Sequence, residues 1–346
     1  MSETPPFELA PLIEWLESHC GLAGFKTITK FGDGQSNPTY KIEAESGDYV
    51  LRAKPPGELL KSAHAVDREY RVMTALADTD VPVPDAIALS ENGNASPIGR
   101  QFFVMRFNEG RIFWDPALPE VADNDTRTRI YDAMNDTLAK LHSVDVAAVG
   151  LSEFGKPGNY FARQTDRWAK QYRASELERN DNVHELIAWL EANMPEDDGT
   201  VSIVHGDYRL DNMIFHSNRE EVVAVLDWEL STLGHPLADL AYQCMQWRLP
   251  HASGMRGLGG IDRNAIGIPT EGQYLISYCE RRGIERIENW SFYVAFSFFK
   301  LAAILQGVYR RSVDGNASNP ERAKQMYAAV PLLTQAALSE IKEHGA

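Results

Sequence analysis

The chain has 346 residues, 44% of them hydrophobic and 24% charged, enough for one large or two medium domains with a substantial core. A net charge of −15 argues against nucleic acid as the main partner, and the absence of a signal-peptide start and of an apolar run of transmembrane length argues against a membrane. Cys20, Cys244 and Cys279 are too scattered for a metal site or a disulfide framework, so a reducing cytoplasm is the expected location.

The spacing of Leu9, Leu12, Ile13 and Leu16 predicts a helix over 7–19. Strands are predicted near 25–31, 38–44 and 48–54, with Ser46-Gly47-Asp48 as a turn. Between the first two strands lies FGDGQSNPTY. Here Gly32 and Gly34 would let backbone N–H groups approach phosphate oxygens, with Ser36 and Asn37 at the tip, although an ordinary hairpin turn fits the same letters. Strand alternation puts Val50, Arg52 and Lys54 on one face. With Arg52 as the phosphate anchor, Val50 roofs an adenine; with Lys54 as the anchor, a guanidinium would occupy the roof, where it is poorly suited. A helix over 62–77 carries Glu69 on a stripe with Val66, Val72, Met73 and Leu76. A carboxylate there either pairs with Arg52 or Lys54 or reaches solvent at the stripe's edge. Two more strands follow in VPVPDAIAL and IGRQFFVMRF, the second placing Met105 and Phe107 beside an adenine pocket or in plain strand core.

From about residue 108 the pattern turns helical, with helices predicted over 126–142 and 159–173. The second has a basic stripe of Arg163, Arg167 and Lys170, which reads as a solvated face or a landing for an anionic substrate. The acid-rich stretch 176–198 reads as a solvated helix and loop or a cation-binding lip. Next comes HGDYRLDNMIFHSNREEVVAVLD, residues 205–227, in which Asp207 and Asp227 each follow an apolar run and Asn212 follows Asp207 in the same loop. That spacing suits phosphoryl transfer. The reaction needs an oxygen base for the attacking hydroxyl and hard oxygen ligands for the magnesium that accompanies ATP. Asp207 would orient the acceptor hydroxyl, Asn212 and Asp227 would hold the metal, and Arg209 would neutralise charge on the moving phosphoryl group. His205 is read as architectural and Asp239 as a brace for the loop. Residues 253–268 are glycine-rich and read as a mobile flap, Thr270-Glu-Gly-Gln273 as a capping box, and 291–308 as an apolar core helix.

HGDYRLDN followed by LDWELSTLGHPLADLAY resembles the aminoglycoside phosphotransferase and choline kinase superfamily, and more closely the phosphotransferase-like proteins also found fused to acyl-CoA dehydrogenases. The resemblance runs from about residue 24 to about residue 310. It implies an α+β, bilobal, protein-kinase-like fold: a small N-terminal lobe with an antiparallel sheet, residues 1–107, and a large, mainly helical C-terminal lobe, residues 108–346. It implies a catalytic aspartate at Asp207 and metal ligands at Asn212 and Asp227, and it favours pairing for Glu69. Arg52 departs from the family's usual lysine. The expected activity is ATP- and Mg2+-dependent transfer of the γ-phosphate to a small-molecule hydroxyl, on a hydroxyacyl compound or an aminoglycoside-like acceptor. The alternative is a catalytically silent, pseudokinase-like nucleotide-binding module.

Overall fold

The computed structural model describes residues 5–32, 37–56, 65–251, 255, 257–315 and 320–345. The chain opens with helix α1 (Leu9–Cys20), strands β1 (Phe25–Lys30), β2 (Thr39–Ala44) and β3 (Gly47–Ala53), helix α2 (Val66–Leu76), and strands β4 (Ala86–Leu89) and β5 (Phe102–Arg106). Helices α3 (Asn124–Ser143), α4 (Tyr160–Ser175) and α5 (Asp181–Ala192) lead to short strands β6 (Ser202–Val204), β7 (Met213–Phe215), β8 (Val222–Val225) and β9 (Thr232–Gly234). Helices α6 (Leu237–Cys244), α7 (Glu271–Arg282), α8 (Trp290–Val313), α9 (Pro320–Tyr327) and α10 (Val330–His344) complete the chain.

Two compact units result. The first comprises Met1–Ile112, Val146–Leu151 and Asn212–Ser231; the second comprises Phe113–Asp145, Ser152–Asp211 and Thr232–Ala346. The first is built on an antiparallel sheet of order β1-β2-β3-β5-β4. Its two faces do different work because strand side chains alternate. Tyr40, Ile42, Tyr49, Leu51, Phe102 and Val104 point to one face and bury against Leu12 and Leu16 of α1. The opposite face carries Lys41, Val50, Arg52, Phe103 and Met105, aligned by the pairings Lys41↔Val50, Arg52↔Phe103 and Val50↔Met105. Helix α2 packs against β4 and β5 and brings Glu69 to Arg52. The β7–β8 hairpin joins this unit through an isolated bridge between Arg111 and Phe215.

The second unit is mainly helical. Its centre is α8, which packs on α4, α6 and α10. By length and composition α8 could cross a membrane, which corrects the expectation that no such run exists, but 78% of its apolar window is buried within the protein. An apolar helix covered on several sides is the signature of a core helix.

Element boundaries differ from the sequence reading in small ways. The β2–β3 turn is Glu45-Ser46, because Ala44 pairs with Gly47; Gly47, at φ +115°, opens the strand in a conformation other residues rarely adopt. Of the segment read as a mobile flap, residues 253, 254 and 256 lie outside the described residues; Leu258 is fully buried, Gly257 is too close to the Leu249 carbonyl to admit a Cβ, and Gly260, Asp262, Asn264 and Ala265 are exposed. The capping box at Thr270 and Gln273 is present.

Candidate active site

Four charged side chains gather in the first unit. The Arg52 Nε lies 2.9 Å from Glu69 Oε2, and its Nη2 lies 2.5 Å from Asp227 Oδ1 and 3.7 Å from Glu229 Oε2. Asn37 donates its amide to Glu69 at 2.8 Å and to Glu229 at 3.3 Å. Glu69 is only 2% exposed, so the solvent-edge alternative for it is excluded. Lys54 turns instead to Asp67, 3.8 Å away. Of the two cations on the strand, Arg52 is therefore the one in contact with the acidic cluster.

Electrostatics follow from this crowding. Burial first, and then the nearby Asp227 and Glu229 carboxylates, push the Glu69 acid up to about 8, against the pull of Arg52. Arg52 is itself desolvated, yet Glu69, Asp227 and Glu229 together hold its guanidinium charged above the ordinary range. One cation shared among three carboxylates leaves the cluster net negative, a setting that favours a further cation.

Asp227 and Glu229 flank Trp228, which is fully buried and donates its indole N–H to the Val225 carbonyl at 2.9 Å. That anchor fixes the two carboxylates either side of it. Asp227 sits in the left-handed region (φ 64°, ψ 59°), a conformation that costs a non-glycine residue about 1–2 kcal/mol and must be held by its surroundings. Asn212 lies beside it along the hairpin: the Leu226 N–H donates to the Asn212 carbonyl at 2.8 Å, extending the β7–β8 ladder by one step. An amide and a carboxylate thus stand at the ends of two paired strands. This hard oxygen set fits magnesium, which takes one or two protein oxygens and fills the rest with water and phosphate. Among the described residues no three His, Cys, Asp or Glu side chains form a self-sufficient metal site.

The second unit holds the other half of the sequence motif. Gly206, at φ +87°, makes the sharp turn that separates His205 from Asp207. His205 is fully buried and its Nδ1 accepts from the Asp207 N–H at 3.2 Å, which makes it architectural. Asp239 accepts the backbone N–H groups of His205 and Gly206 at 2.6 and 2.8 Å, and His142 Nε2 lies 3.4 Å from it. Burial alone would raise the Asp239 acid, but the hydrogen bond from His142 and the Gly206 N–H hold it below the usual carboxylate value. Asp207 accepts from the Tyr242 hydroxyl at 2.8 Å, and its Oδ1 lies 3.1 Å from Arg209 Nε. Arg209 also reaches Asp211, 3.3 Å away, so it is held between two carboxylates.

The structure thus brings together Asn37, Arg52, Glu69 and Asp227 by side-chain contact, aligns Val50 and Met105 on the sheet face of Arg52, and joins Asp207 to Arg209. Gly34 and Ser36 lie outside the described residues. Sequence reasoning missed Glu229, Tyr242 and Lys300. Glu229 was signalled by its place two residues after Asp227. Tyr242 and Lys300 carried no local signal, since each lies in a helix made mostly of apolar residues. It also missed Phe31, whose ring stacks 6.5 Å from that of Phe107, with Lys41 over Phe107.

A five-stranded antiparallel sheet with a buried Arg–Glu pair, ahead of a mainly helical region carrying an HGD turn, defines a protein-kinase-like fold of the aminoglycoside phosphotransferase type. The chain belongs to the phosphotransferase enzyme family, whose profile matches residues 27–271. It is 50% identical over 293 residues to acyl-CoA dehydrogenase family member 10 of Mus musculus, covering 84% of this chain and 27% of that protein. It is 42% identical over 323 residues to acyl-CoA dehydrogenase family member 11 of Rattus norvegicus, covering 91% of this chain and 41% of that protein. The chain therefore spans less than half the length of these curated relatives. A candidate aminoglycoside phosphotransferase from Ralstonia eutropha superposes with a TM-score of 0.88 at 45% identity, over 97% of this chain and 99% of that one. A spectinomycin phosphotransferase solved with ADP and spectinomycin shares the fold at 14% identity, with a TM-score of 0.63 over 97% of this chain and 99% of that one.

Proposed function

We propose that the chain is an ATP- and Mg2+-dependent phosphotransferase that moves the γ-phosphate to a hydroxyl of a small molecule. The observation that carries this reading is the contact of Arg52 with both Glu69 and Asp227. On this reading Arg52 would bind phosphate beside a carboxylate, Asp227, that would bind the metal, the pairing that phosphoryl transfer requires. Asn37, Val50, Arg52, Glu69 and Met105 would bind the nucleotide, and Asn212 and Asp227 would hold magnesium. The metal, when bound with ATP, supplies neutralisation of the phosphate charge. Asp207 would accept the acceptor's hydroxyl proton as that oxygen bonds to the γ-phosphorus. The bond to the bridging oxygen of ADP breaks, and its electron pair leaves with ADP. Arg209 would offset charge on the transferred group.

For the acceptor, the acyl-CoA dehydrogenase relatives favour a hydroxyacyl thioester over an aminoglycoside. The arginine at position 52, the foothold of the silent-module reading, makes the ion pair with Glu69 that a lysine would make, and so lends that reading no support. The test is incubation with γ-labelled ATP and Mg2+ against a panel of hydroxyacyl thioesters and a panel of aminoglycosides. Label on the first panel supports the proposal as stated; label only on aminoglycosides redirects the acceptor. Nucleotide-induced thermal stabilisation with no label on any hydroxyl would support the silent module.

A further inference from the structure

We infer that Tyr242 and Lys300 are positioning residues that fix the Asp207 carboxylate in its working orientation. This rests on the role proposed for Asp207 above. Tyr242 lies on α6, three residues after Asp239, so both side chains leave the helix on one face. They act on the same turn. Asp239 takes the N–H groups of His205 and Gly206, and the Tyr242 hydroxyl donates to Asp207 Oδ1 at 2.8 Å. Lys300 comes from α8 and completes the clamp, donating to the Gly206 carbonyl at 3.0 Å with its ammonium 5.4 Å from the centre of the Tyr242 ring. The turn is thereby tied at two backbone N–H groups, one carbonyl and one carboxylate oxygen, by three side chains from two helices.

These contacts are more specific than packing demands. Tyr242 is 8% exposed on a helix whose every residue is buried, where a phenylalanine would fill the same space. A lysine is a costly way to continue the apolar face of α8, and its ammonium donates to the peptide immediately before Asp207. Burial, and then the Asp207 charge, hold the phenol well above its ordinary range, so it remains a hydrogen-bond donor. A donor at Oδ1 restrains rotation of the carboxylate, and that restraint sets where the acceptor hydroxyl must lie.

Carbon-13 NMR of aspartate-labelled protein reads this bond without any acceptor, with Asp207→Asn identifying the Asp207 carboxyl resonance. Tyr242→Phe should move that resonance at fixed pH, because Oδ1 loses its phenol donor, and Lys300→Met should move it by less. Lys300→Met also serves as the second variant if Tyr242→Phe fails to fold. An unmoved resonance in a folded variant overturns the inference. Mg·ATP hydrolysis, with water as the acceptor, then separates the inference from the reading beneath it. Tyr242→Phe should lower kcat about 10-fold with an unchanged KM for ATP. A KM effect alone, or an unchanged kcat, contradicts positioning. If Asp207→Asn hydrolyses ATP like the native protein while the Tyr242→Phe resonance still moves, the role of Asp207 fails but the contact between the two residues stands.

Discussion

Glu69 and Asp239 are both buried carboxylates, 2% and 1% exposed, and the protein treats them in opposite ways. Glu69 is met by other side chains: a guanidinium, an amide and, nearby, two more carboxylates. Its proton affinity is pushed up. Asp239 is met by two backbone N–H groups and a histidine, and its proton affinity is pushed down. The difference teaches what each is for. Side-chain partners can be exchanged when a metal or a phosphate arrives, so the Glu69 cluster suits a binding site. Backbone N–H groups cannot leave without unfolding the turn, so Asp239 suits a fixed support.

The comparison breaks most readily at Arg52. Arg52→Met leaves Glu69 buried without its cation, and stability should fall by about 3–5 kcal/mol, while Arg52→Lys should recover most of the loss. Chemical denaturation measures both. Equal losses in the two variants would mean that packing, not charge, holds the cluster. Asp239→Asn should cost about 3 kcal/mol, because one amide oxygen cannot replace two carboxylate oxygens for the two N–H donors. A loss well under 1 kcal/mol in the same assay would remove Asp239 as the support of the turn.

The pH dependence sharpens the contrast, because the signs differ. Asp239 is held below its ordinary 3.8, so its contribution is present above that value and is lost as pH falls through the lower folded value. His142 is held below 6.5 by burial, so its contribution also fades as pH falls from 6.5. Both should appear as acid destabilisation, and Asp239→Asn should flatten the part below pH 4. Glu69 is raised from 4.5 to about 8, so its contribution is full below 4.5 and is lost as pH rises toward 8. Glu69→Gln should flatten that slope. Slopes of one sign in both variants would contradict the distinction. The smallest effect belongs to Glu229→Gln: 3.7 Å from Arg52 and partly exposed, it should cost about 1 kcal/mol or less, but it should weaken Mg·ADP binding measured by calorimetry. A large stability loss would make Glu229 structural.

The legible parts of this molecule were those written in local periodicity. Alternation along YVLRAK put Val50 and Arg52 on one face, and the stripe on α2 exposed Glu69 as an acid in need of a partner. The match of Arg52 to Glu69, with Lys54 left to Asp67, depended on where α2 crosses the sheet, which no short window contains. Tyr242 and Lys300 were invisible for a related reason. In an apolar helix a tyrosine reads as core and a lysine as a surface interruption, until a turn far away in sequence supplies the carboxylate and carbonyl that they bind. The membrane-length character of α8 was missed because its lysine and its final arginines interrupt the apolar run, although the helix as a whole is apolar enough.

In the proposed reaction Asp207 receives the acceptor's proton. Transfer of labelled γ-phosphate by Asp207→Asn, compared with the native protein on the same acceptor, tests this most directly. Transfer should fall at least about 100-fold, with thermal stabilisation by Mg·ATP retained. Transfer within a few-fold of native would contradict it.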